Sequence, residues 1–152
     1  MSQSARQVAV ALLARRDYSR HEIKAKLLLK GFETVEIEPV LDGCEASGFL
    51  DDNRYADLLL RSHITKGHGL GRIKQAMAQK GLCAGTIAAA VDRSTCDWFE
   101  LARSKAVKKY TDPRTQDMKE KARRIRFLMG QGFSYDQIAY ALDYDPYDES
   151  SF

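Results

Sequence analysis

SRHEIKAKLLLKGFETVEIEPVL, residues 19–41, is the stretch whose reading settles the fold. Ile23 and Leu27 stand four apart, as do Ile37 and Leu41, so each pair lies on one face of a helix. Gly31 between them can take the left-handed conformation that ends the first helix. Phe32 just after it can fold back onto the last turn, as in a Schellman-type stop. Ser19-Arg-His-Glu22 has the capping-box pattern at the start of the first helix, and Thr34 is expected to cap the next. Pro39 lies deep for a first turn, so that next helix is expected to start later or to be distorted.

The pattern returns twice, as GRIKQAMAQKGLCAGTIAAAV over 71–91 and ARRIRFLMGQGFSYDQIAYAL over 122–142. Gly81 and Gly132 repeat Gly31, and Leu82 and Phe133 repeat Phe32. Met77 and Leu128 match Leu27, Ile87 and Ile138 match Ile37, and Val91 and Leu142 match Leu41. One column breaks: Ile23 and Ile73 align with Arg124, and Ile125 must serve instead. Ser134-Tyr-Asp-Gln137 is a second capping box.

A further helix precedes each pair: Gln7–Arg16 with Val8, Leu12 and Leu13 inward, Asn53–Ile64 with Tyr55, Leu58 and Leu59, and Trp98–Tyr110 with Trp98, Leu101, Ala102 and Val107. Asp51 or Asp52 is expected to cap the second of these. No alternating strand pattern occurs, so the class is all-α: three tandem three-helix repeats, nine helices in all, in helix-turn-helix-like units. The repeats are expected at 1–50, 51–95 and 96–144, with a short acidic tail at 145–152. One such unit buries too little surface to stand alone, so the repeats should stack into an elongated, curved array. The break Thr111–Asp117, with Pro113, is the expected flexible loop.

The chain is 44% hydrophobic and 30% charged, the composition of a folded protein. No apolar run approaches the ~20 residues of a membrane span, and Arg15-Arg16 follow the short apolar stretch Val8–Ala14, the wrong order for a secretory signal. A cytoplasmic protein without membrane association is expected. Cys44, Cys83 and Cys96 form no Cys-x-x-Cys pair and are read as reduced, partly buried thiols serving as small core residues.

No enzyme signature emerges, so no catalytic residue, metal or cofactor is expected. Gly67-His-Gly-Leu-Gly71 lacks both the closing glycine of a dinucleotide fingerprint and the Gly-Lys-Ser/Thr of a P-loop, and reads as a turn. His21, His63 and His68 form no recognisable metal set, His63 and His68 have no carboxylate at ligand spacing, and all three are expected at the surface. The acids Glu36, Glu38, Asp51 and Asp52 stand at helix beginnings, where the dipole favours them.

The net charge of +3 is unevenly spread. Arg61, Lys66, Arg72 and Lys74 surround the Gly67–Gly71 turn, Lys105, Lys108 and Lys109 end a helix, and Lys119, Lys121, Arg123, Arg124 and Arg126 crowd the next one. Residues 130–152 contain no Lys or Arg. Cations at a helix end also suit its dipole, but as a group they point to an acidic surface or to phosphates. The acidic ending Asp143–Glu149 could fold back on the basic helix or repel DNA.

Leu13-Ala-Arg-Arg16, Ser19-x-x-Glu22-Ile23 and Lys26-Leu27-x-x-Lys30-Gly31-Phe32 resemble the opening of the RecX family of RecA regulators. Gly48-Phe-Leu-Asp51-Asp52-x-Arg54-Tyr55-Ala56 resembles its most recognisable segment, and Gly67-x-Gly69-x-x-Arg72-Ile73, Lys80-Gly81 and Gly132-Phe-Ser-Tyr135-x-x-Ile138 continue the match in order over about residues 8–144. Gly43 and Cys44 depart from it, standing where larger residues are common. The resemblance implies three three-helix repeats and a protein that lodges in the groove of the RecA filament on single-stranded DNA. There it would restrain filament growth or promote disassembly, lowering ATPase, strand-exchange and co-protease activity in DNA repair, recombination and the SOS response. RecA and its filament are thus the expected partners, with weak direct DNA contact and a monomeric state. The alternatives are a helix-turn-helix DNA-binding regulator, against which the bland 86–91 stretch Thr-Ile-Ala-Ala-Ala-Val counts, and a scaffold without a nucleoprotein partner.

Overall fold

The structure is a computed structural model that describes residues 2–147. Nine helices run through the described residues and no strand does: α1 Ala5–Arg15, α2 Arg20–Leu29, α3 Thr34–Ala46, α4 Asp52–Thr65, α5 Leu70–Gln79, α6 Ala84–Arg93, α7 Trp98–Tyr110, α8 Met118–Gly130 and α9 Tyr135–Leu142. They form three three-helix repeats. The repeat glycines hold the turns: Gly31, Gly81 and Gly132 have φ of 95°, 86° and 101°. In each, the following residue donates its N–H back to the matched apolar position, Phe32 to Leu27 at 3.2 Å, Leu82 to Met77 at 3.3 Å and Phe133 to Leu128 at 3.2 Å. The glycine N–H bonds the next carbonyl along, giving the paired bonds of a Schellman stop three times over.

The chain divides into two compact units that cut across the second repeat: Met1–Leu59 with Met77–Arg93, and Leu60–Ala76 with Ser94–Phe152. In the first, Ala5, Val8, Ala9, Tyr18, Ile23, Leu27, Ile37, Leu41, Cys44 and Leu50 form one buried cluster. α1 begins at Ala5 rather than Gln7, because Ser4 and Gln7 make a capping box. α3 starts at Thr34 despite Pro39, and Thr34 is not its cap: Glu33 holds that position without a side-chain bond. Burial raises the thiol pKa of Cys44, which fills core space beside Leu41. Cys83 is exposed instead of packed, its sulfur 3.2 Å from the Thr86 hydroxyl, which lowers its pKa.

The family-like segment 48–56 is architectural. Leu50, Tyr55 and Ala56 are buried. Asp51 accepts the Arg54 N–H at 3.1 Å at the start of α4, and Asp52 accepts the Arg20 N–H at 2.9 Å at the start of α2. The Arg54 guanidinium holds Asp17 at 2.9 Å and donates to the carbonyls of Gly48 and Phe49. On the same unit Arg20 reaches Glu38, Asp42 and Glu45, each within 2.9 Å. Along α4, Leu58 points outward and Leu60 is buried, because Tyr55, Ala56 and Leu60 share the inner arc and Leu58 lies about 60° outside it.

In the second unit α7 packs along α9, with α8 against α9. Ala102, Ala106, Leu128, Phe133, Ile138, Ala141 and Leu142 are its buried cluster. Ala106 is the inward residue of the last α7 turns, whereas Val107, expected inward, is 42% exposed. The stretch Thr111–Asp117 is tied down, contrary to expectation. Arg124 donates to the carbonyls of Asp112 and Pro113 at 2.9 and 3.0 Å, pairs with Glu120 at 3.1 Å, and stacks on Tyr110 at 4.3 Å. That explains the broken column: Arg124 replaces the isoleucine because its fork is needed under this loop. Ile125 packs against the cluster in its stead. Of the acidic tail at 145–152, residues 148–152 lie outside the described residues.

Candidate partner-binding surface

All the basic residues of the clusters singled out from sequence fall in the second compact unit: Arg61, Lys66, Arg72, Lys74, Lys105, Lys108, Lys109, Lys119, Lys121, Arg123, Arg124 and Arg126. In that unit 14 Lys/Arg (4 in 60–76, 10 in 94–152) face 10 Asp/Glu, and segment 60–76 contains no acid. The first unit holds the ion-paired acids of α3, so positive charge is concentrated on the second.

Two of the sequence clusters meet at the α4–α5 turn. Lys105 on α7 extends its ammonium to the carbonyl of Lys66 at 3.0 Å, its stem lying against Gly67. His63 and His68 close the turn with their Nδ1 atoms 2.9 Å apart and rings at 5.1 Å; they are half-buried partners, not surface histidines. Burial, with the nearby charges of Arg72, His63, Lys105 and Lys66, pushes the His68 pKa down to about 4. Burial of the ring is the largest cause, and the surrounding positive charges add to it. Arg61, Lys66, Arg72 and Lys74 are exposed around this turn.

The cations of α7 and α8 divide by role. Arg124 is committed to the loop, its side chain only 14% exposed. Lys121 is nearly buried, its ammonium 4.0 Å over the Tyr144 ring. Lys109 lies 3.6 Å over the Phe127 ring, and Arg123 pairs with Glu120 at 2.7 Å while remaining 70% exposed. Lys108, Lys119 and Arg126 are exposed and enter none of the ion pairs among the described residues. The outward cations are therefore Arg61, Lys66, Arg72, Lys74, Lys108, Lys119, Arg123 and Arg126. Sequence reading passed over Arg114, which stands exposed in the pinned loop 3.5 Å from Asp143; its place after Pro113 in the long break was the available signal.

The arrangement suits contact with anions. Among the described residues no three His, Cys, Asp or Glu stand close enough to hold a metal ion. No helix among them is long and apolar enough to cross a membrane.

The chain matches the family models for the first, second and third three-helix domains of RecX over residues 5–44, 51–91 and 96–142. It is 52% identical over 125 residues to the regulatory protein RecX of Shewanella oneidensis, covering 73% of this chain and 98% of that one. To the regulatory protein RecX of Vibrio campbellii it is 43% identical over 145 residues, covering 95% and 94%. The crystal structure of RecX from Lactobacillus salivarius shares the fold, with a TM-score of 0.78 at 19% identity over 91% of this chain and 92% of that one. With all three repeats matched in order and relatives this similar along most of the sequence, the chain belongs to the RecX family of regulatory proteins.

Proposed function

We propose that this protein binds RecA and its filament on single-stranded DNA, lodging in the filament groove and restraining filament growth. RecA ATPase, strand-exchange and co-protease activity fall as a consequence. The observation that carries this reading is the gathering of outward cations on one compact unit of a RecX-family chain. Eight charges spread over several helices engage a repeating partner by many individually weak contacts, which together give useful affinity. Contact with phosphates of the bound DNA is part of the same proposal and makes binding salt-sensitive. The helix-turn-helix alternative finds no support in α6, whose exposed residues include Ala84, Gly85 and Ala88, side chains without donors for base edges.

The test is the single-stranded-DNA-dependent ATPase of the cognate RecA, with this protein titrated below one copy per RecA subunit. Inhibition at such ratios, relieved by Arg72→Glu/Lys74→Glu in a folded variant, is the expected result. A cognate RecA indifferent to the folded wild-type protein sinks the proposal.

A further inference from the structure

Within the chain, one repeat joins the next by a recurring device. Ser19, the cap of α2, donates its hydroxyl to the carbonyl of Lys80, the residue before the second repeat's turn glycine. Gly69, at the start of α5, donates its N–H at 2.7 Å to the carbonyl of Gln131, the corresponding residue of the third repeat. The fit is close in both. A methyl placed on Gly81 would come within 2.4 Å of His21, and one on Gly132 within 2.4 Å of the Arg72 backbone nitrogen. Each of these turns is thus covered by the N-terminus of a helix from the preceding repeat.

The first repeat has the same turn, and no helix N-terminus among the described residues covers it. Gly31 has φ 95°, yet a methyl there would meet nothing within 4 Å among the described residues. Around this turn Leu29 is 88% exposed, Val35 80% and Leu28 45%. At the corresponding positions of the covered turns stand Gln79, Gly85 and Ala78, then Gly130, Asp136 and Met129. Met129 is 48% exposed at a covered turn, much like Leu28, so the contrast lies at the positions of Leu29 and Val35. Large apolar side chains, unfavourable in water, stand at those positions only at the turn that lacks its helix. In the last repeat the donor side is closed off. Glu120 occupies the position of Ser19 and Gly69, α8 starts a turn earlier, and Asp117 takes the N–H groups of Lys119 and Glu120.

We infer that the α2–α3 turn of the first repeat is a docking site for a helix N-terminus of the partner protein. That helix begins with a small residue, Ser or Gly, whose donor meets the Lys30 carbonyl as Ser19 meets Lys80 and Gly69 meets Gln131. Apolar side chains beside it cover Leu28, Leu29 and Val35. The geometry specifies the helix end; that it belongs to a RecA subunit rests on the function proposed above.

The experiment places the photo-crosslinker p-benzoylphenylalanine at position 29, or separately at position 72, of the full chain bound to the cognate RecA filament. It is paired with a Leu29→Ser/Val35→Ser variant checked for unchanged circular dichroism. A crosslink from position 29 to a RecA helix N-terminus, with filament affinity about tenfold weaker in the double variant, is the expected result. Crosslinking from position 72 alone, with the double variant within about twofold of wild type, overturns the docking site and leaves the function standing. Crosslinking from neither position overturns both. A crosslink from position 29 to a second copy of this chain, with self-association lost in the double variant, overturns the partner helix.

Discussion

Replacing Arg124 with alanine removes the guanidinium that holds the 111–117 loop, and the structure sets the size of the effect. Its bonds to the Asp112 and Pro113 carbonyls, at 2.9 and 3.0 Å, are charge-assisted but partly wet, so about 1 kcal/mol each is a fair value. Stacking on Tyr110 at 4.3 Å adds about 0.5–1 kcal/mol. The helical pair with Glu120 adds about 0.3–0.5 kcal/mol. The sum is about 3 kcal/mol, which for a chain of this length lowers Tm by roughly 6–12 °C. Urea unfolding followed by circular dichroism, with amide exchange read at residues 112–116, measures both consequences. Arg124→Lys, which keeps the charge but loses the fork, recovers less than half of the loss. A change below about 0.5 kcal/mol with unaltered exchange in the loop would refute the reasoning and return Arg124 to the surface cations.

Gly69→Ala drives a methyl to 2.4 Å from the Gly132 carbonyl carbon, a backbone clash, and destabilises by about 2–3 kcal/mol. Gly85→Ala, in α6 with nothing within 4 Å of the new methyl, stabilises by about 0.5–1 kcal/mol; urea midpoints of the two variants should therefore move in opposite directions. Arg54→Ala frees Asp17 and the carbonyls of Gly48 and Phe49, costing about 1–2 kcal/mol by the same measurement. His68 is held neutral, with its folded pKa of about 4 below the unfolded value, so its contribution is complete above about pH 6.5 and is lost as pH falls toward 4. Discounted for partial solvent screening, this loss is about 1–2 kcal/mol, and urea unfolding at pH 7 and pH 4.5 should show it shrinking in His68→Gln.

Sequence alone determined the repeat and the class of the fold. Gly31, Gly81 and Gly132 with their flanking apolar columns encode helix stops through local backbone bonds, and local bonds depend on residues a few positions apart. The apolar spacing likewise identified Ile23, Leu27, Ile37, Leu41, Leu128 and Ile138, all fully buried. The family signature was legible as an ordered string, and so was a cap of α4 at Asp51, but the Asp52 bond to the start of α2 and the Arg54 clamp were not. The partners Asp17 and Arg20 lie more than thirty positions away from Arg54 and Asp52. The tertiary structure also decided which cations face outward. Lys105, Lys109, Lys121 and Arg124 look alike in sequence to Lys108 and Arg126, yet the first four spend their charge on a carbonyl, aromatic rings or a loop. Local pattern fixes a residue's helix and face, whereas a long side chain's partner depends on which other helix passes within its reach, and only packing sets that.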